Sequence, residues 1–131
     1  MRSVLLIIVI VSAGLSSACT KRESSPDNGR NLPGTWKLKE TMMSPGFTVP
    51  WEPYKGPARY MTLYANGSVK AGSDVVWGTY DRYYVKDDQN IIFINSATSD
   101  SVNYRYEQSF NSFTLYFQCY EACGSRFKRV F

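Results

Sequence analysis

Three cysteines, no histidine and a scatter of carboxylates are what this 131-residue chain brings to chemistry. Histidine is the usual general base, zinc ligand and proton shuttle near neutral pH, so its absence removes the central residue of most hydrolase and metalloenzyme sites. Cys119 and Cys123 are one residue too far apart for a C-x-x-C redox motif. Two thiols without histidine also fall short of the four ligands that zinc takes. Of the carboxylates, Asp81, Asp87 and Asp88 come nearest to acid–base candidates, and the last two sit in a polar turn. No nucleophile stands beside a base. The expectation is a non-catalytic protein with no catalytic residues, no metal and no cofactor. A formal charge of +4 spread without a basic cluster also gives no footprint for nucleic acid.

The N-terminus accounts for the third cysteine. Met1, Arg2 and Ser3 form a short positive segment, and residues 4–11 are an unbroken apolar run. That run is too short for a bilayer, which takes about 20 residues, and has the length of a signal-peptide core. Small residues follow, in Leu15-Ser16-Ser17-Ala18-Cys19. This stretch resembles the lipobox of bacterial lipoproteins, and the resemblance implies that residues 1–18 are removed and Cys19 becomes the acylated first residue. Export then leaves Cys119 and Cys123 as an even pair in an oxidising compartment, which reads as a structural disulfide. Residues 20–31 hold no apolar side chain and contain Ser, Pro and Gly, as a solvated tether does. Thr20 is not the aspartate associated with inner-membrane retention, so the resemblance implies the outer membrane, facing the periplasm.

Residues 32–131 then form one domain. Tyr, Phe, Trp, Val, Ile and Thr dominate it, broken every 8 to 12 residues by Gly, Pro, Asn or Asp, and no long helix can be drawn. Eight strands can be: residues 34–40, 58–64, 68–72, 75–85, 90–95, 101–109, 113–117 and 125–131. Asn66-Gly67 is the strongest hairpin signal. The connections after residue 57 are short, so neighbours pair antiparallel, and eight such strands can close into an all-β up-and-down barrel without free edges.

Gly34-Thr35-Trp36 at the head of the first strand resembles the G-x-W signature of lipocalins. The order of the lipobox, the Asn-Gly hairpin, Gly78-Thr79-Tyr80 and a cysteine pair before a basic last strand is similar to the lipocalin-like domains of small bacterial lipoproteins. The resemblance implies that Trp36 lies across the closed end and that a basic side chain of the last strand stacks on it. Arg129 is the candidate, because period 2 turns it to the same face as Phe127. It equally fits a solvated row with Arg126 and Lys128.

Two functions follow. The first is a membrane-tethered module that binds a small apolar or amphipathic ligand at the open end, lined by Met61, Leu63, Tyr80 and Tyr104, with Trp51 in the rim loop of residues 41–57. The alternative is a filled barrel whose Trp51, Tyr54, Tyr83 and Tyr84 contact a protein or a glycan.

Overall fold

The computed structural model describes residues 31–44, 49–72, 76–119 and 123–131. The expected signal sequence, Cys19 and all of the tether before Asn31 lie outside the described residues. Strands account for most of what is described, and they follow the alternation of the sequence. β1 (Gly34–Met43) turns Trp36 and Leu38 inward. β2 (Glu52–Pro53) is a two-residue strand within the long loop. β3 (Tyr60–Leu63) and β4 (Val69–Ala71) form the expected hairpin, in which Gly67 adopts φ +84° and the Asn66 side chain accepts from the Ser68 amide. β5 (Arg82–Val85), β6 (Asn90–Ile94), β7 (Ser101–Gln108), β8 (Ser112–Phe117) and β9 (Cys123–Val130) complete the set.

Every pairing is antiparallel, and the order is β4-β3-β1-β9-β8-β7-β6-β5. First and last strands therefore meet, as an up-and-down barrel requires. An isolated bridge between Ser68 and Arg82 joins the two ends of that order. The chain is thus an all-β, antiparallel barrel of eight principal strands with lipocalin-like closure. Its interior is a continuous aromatic and aliphatic core that includes Trp36, Phe93, Phe113, Phe127, Met61 and Leu115.

Three local expectations are corrected. The strand drawn over residues 75–85 is a strand only from Arg82; Val76–Thr79 is a 3-10 helix. The apolar run before Gly78 lacks the alternating polar residues of a half-buried strand, and the chain turns at Asp81. There the Asp81 carbonyl accepts from the Val69 amide (2.8 Å), its amide donates to Ile94 (3.1 Å), and its carboxylate accepts from the Ser96 amide (2.8 Å). Second, β1 runs past Glu40 to Met43, but a bulge between Leu38 and Glu40 shifts its phase, so Glu40 pairs with Arg126 on the outer face. Third, the long loop is tied to the wall: β2 pairs with Glu40 and Thr41, and the Tyr54 amide donates to the Lys39 carbonyl.

Candidate functional site

Antiparallel order gives the barrel two unlike ends. The proximal end gathers the chain's approach through Asn31 to Pro33, the turn at Asn66-Gly67, the turn of residues 86–89 and the turn of residues 109–111. The distal end gathers the connections after β1, β4, β6 and β8.

The proximal end is sealed by Trp36 and Arg129. Trp36 is fully buried, and its indole N–H donates to the Leu32 carbonyl at 2.8 Å. The Arg129 guanidinium lies 4.3 Å from the indole ring centroid. Its Nε donates to the Phe110 carbonyl (2.9 Å), Nη1 to the Pro33 carbonyl (2.8 Å) and Nη2 to the Asn31 carbonyl. One planar fork thus satisfies three backbone acceptors while its face covers the indole. Gly34 belongs to the same device. It holds φ +148°, and a Cβ there would collide with Arg129 Nη1. The Gly34, Trp36 and Arg129 grouping therefore has a physical cause: the glycine clears room for the cation that caps the tryptophan.

The distal end is lined differently. Tyr80, Val102 and Phe117 pack against the core, yet all three are only half-buried. Phe93 joins Tyr80 (ring centroids 6.3 Å apart) to Tyr104 (5.9 Å), and Tyr104 meets Phe117 edge-on at 5.0 Å. Burial, and then the neighbouring phenol of Tyr80, pushes the Tyr104 hydroxyl up to about 12, so it stays a neutral donor at any physiological pH. The Cys119–Cys123 disulfide spans the connection from β8 to β9 beside this end, with Cα atoms 5.9 Å apart.

Of the five residues expected to meet a ligand, Tyr80 and Tyr104 are brought together. Met61 and Leu63 are not with them. They pair with Trp36 and Gly34 and are buried in the proximal core. Trp51 lies on the outside of the wall, where its ring packs over Gly124, meets Tyr116 edge-on at 6.2 Å and carries the Arg126 guanidinium 4.1 Å above it. The reason is twofold: β2 draws the loop back along β1, and a Cβ at position 124 would stand only 2.7 Å from the indole. Phe93, Val102 and Phe117 complete the distal lining. Four consecutive apolar residues hid the phase of Phe93, while alternation already placed Phe117 and Val102 inward.

The outer face around Trp51 is a lattice of charge and aromatic surface. Arg126 pairs with Glu40 at 2.7 Å, the Tyr116 hydroxyl donates to Glu107 at 2.9 Å, and Arg105 lies over the Tyr116 ring. Burial, then that bond to Glu107, raises the Tyr116 phenol above its ordinary value. Beside it Glu107, Gln108, Ser112, Thr114 and Arg126 border a polar depression of about 240 Å³. Of the tyrosines expected to face a partner, Tyr84 is exposed, whereas Tyr54 and Tyr83 are half-buried against the core. Among the described residues, no three His, Cys, Asp or Glu side chains converge as a metal site would need. Asp81 and Asp87 both titrate below their ordinary value, chiefly because the Ser96 and Gln89 amides donate to them, which is turn chemistry.

No protein-family model matches the chain, and searches of curated proteins and of solved structures find no match either. The likeness to lipocalins rests on the closed antiparallel barrel and on the way Gly34, Trp36 and Arg129 shut its proximal end.

Proposed function

We propose that this protein is a lipid-anchored, non-catalytic binding module that takes a small apolar or amphipathic molecule at the distal end of its barrel. The observation that carries the reading is the asymmetry of the lining: inward-facing side chains are fully covered beside Trp36 but only partly buried at Tyr80, Val102 and Phe117. Open apolar walls with a few polar groups are the usual form of a small-molecule site. The neutral Tyr104 phenol, reinforced by Tyr80, supplies a hydrogen bond to the polar head of an amphipathic ligand. The lipobox-like Leu15-Ser16-Ser17-Ala18-Cys19 supports cleavage after residue 18 and acylation of Cys19, with residues 20–31 as tether and residues 32–131 as the carried domain at the outer membrane, facing the periplasm.

Titration with 1-anilinonaphthalene-8-sulfonate and medium-chain fatty acids tests the site. Saturable binding is expected, weakened at least fivefold by Phe117→Ala or Tyr104→Ala and changed less than twofold by Trp51→Ala. Absence of saturable binding, or equal losses from Phe117→Ala and Trp51→Ala, would refute it and favour the outer face around Trp51 as a surface for a protein or glycan. Metabolic acyl labelling tests the anchor: wild type takes up label and Cys19→Ala does not.

A further inference from the structure

We propose that the proximal end of the barrel is a membrane-docking surface, on which Phe110 and Phe131 enter the interface of a phospholipid bilayer. Both rings are exposed, Phe110 at 68% and Phe131 at 89%, and they lie side by side with centroids 6.0 Å apart. Val130 beside them is exposed as well. The rings shield one another on one side, with the Arg129 guanidinium 5.9 Å from the Phe110 centroid, and still leave an outward apolar patch of the kind an amphipathic boundary accepts.

The occupant is indicated by where the chain leaves the barrel. Arg129 holds the carbonyls of Asn31 and Phe110 with one guanidinium, so the exit toward Cys19 and the aromatic pair are fixed next to each other. Residues 20–31 span at most about 40 Å when extended, and average about 20 Å if they behave as a coil. The distal end stands about 25 Å farther away along β9 (Cys123–Val130). A bilayer holding an acylated Cys19 therefore meets Phe110 and Phe131 before any distal residue, and the short tether keeps their local concentration at the surface high. The proposal rests on the anchor reading in this respect. Charge at this end is mixed, with Lys86, Asp87 and Asp88 in one turn and Lys128 on β9, so the contact is apolar and does not require anionic lipid. It also orients the molecule: with the proximal end down, the distal opening faces away from the membrane.

The test places an indole at each end, as Phe110→Trp and, in the turn after β6, Thr98→Trp. Each full-length protein is reconstituted into vesicles of phosphatidylcholine, with and without brominated acyl chains. The expected result is that Phe110→Trp gains a blue-shifted emission that brominated lipid quenches at least twofold more than in wild type, whereas Thr98→Trp gains an unquenched one. Equal quenching of the two, or quenching of neither, overturns docking. A concentration-dependent blue shift of Phe110→Trp without vesicles would assign the patch to a second copy of the chain and overturn it too. The anchor is read separately: an unlabelled Cys19 with a lipid-responsive Trp at position 110 sinks the anchor alone, and an acylated chain with an unresponsive one sinks docking alone.

Discussion

The two ends of this barrel are built from the same kinds of residue and reach opposite states. At the proximal end, Trp36 is sealed because a cation lies on its face and is held there by three hydrogen bonds to backbone carbonyls. At the distal end, Tyr104 and Phe117 meet edge to face, and part of Tyr80, Val102 and Phe117 stays in contact with solvent. An aromatic lining alone therefore does not decide whether a barrel end is core or site. At the proximal end the capping cation decides it, because it leaves the indole no face to offer.

The sharpest way to break this comparison is to truncate one ring at each end. Phe113 touches Trp36, Tyr106 and Phe127 and is wholly buried, so Phe113→Ala should cost about 4 kcal/mol. Phe117→Ala, at a half-covered position, should cost about 1.5 kcal/mol. Urea unfolding of both variants measures the gap, and equal losses would mean that the distal end is as tightly packed as the proximal one. Next in size is the cap. Arg129→Ala strips the donors from three carbonyls and uncovers an indole, for about 3 kcal/mol. Arg129→Lys should recover less than half of that, because an ammonium cannot reproduce the planar fork.

Reduction of Cys119–Cys123 releases a loop closed over five residues, for about 2 kcal/mol on the chain-entropy account. Its position at the distal end predicts a lower melting temperature with the near-ultraviolet signal of Trp36 retained. The smallest effect is the alkaline titration of Tyr104. Below about pH 10, folded and unfolded chains both keep this phenol protonated, and its contribution is intact. Between that pH and about 12 only the unfolded chain loses the proton, so stability falls as pH rises, by no more than about 2 kcal/mol in all. Tyr104→Phe should flatten that part of the pH–stability curve, and unchanged curvature would show that the phenol is less desolvated than its surroundings imply.

Much of the fold was legible because alternation is a local signal. Val102, Tyr104 and Tyr106 face inward against Asn103, Arg105 and Glu107 as period 2 demands, and the same period carried Arg129 to Trp36. The less legible features all break the period. A bulge after Leu38 cannot be read from residue types, since Lys39 and Glu40 are polar in either phase. The 3-10 helix at Val76–Thr79 replaces a strand because a run of apolar residues carries no phase. Loop length and composition point Trp51 to a rim, whereas its position depends on Gly124, more than 70 residues away, leaving a bare patch of wall. Met61 and Leu63 face inward as alternation demands, but facing inward does not say toward which end, and they lie beside Trp36 and Gly34.

The bridge between Ser68 and Arg82 bears on how this molecule folds and breathes. Among the described residues it is supported by the Val69 amide donating to Asp81, the Tyr83 amide to Gly67 and the Tyr83 hydroxyl to the Tyr64 carbonyl, while β1 and β9 are zipped along eight register pairs from opposite extremes of the domain. The remaining neighbours are mainly hairpins that can form early. Joining β1 to β9 is the step that carries the loop-closure entropy and sets the folding rate. Once formed, the cylinder has one weak longitudinal line, and thermal opening should run along it. Native-state hydrogen exchange should find the Val69 and Tyr83 amides exchanging well before those of β9. Each opening bares two strand edges, so this line is also where partial unfolding would begin to recruit other chains.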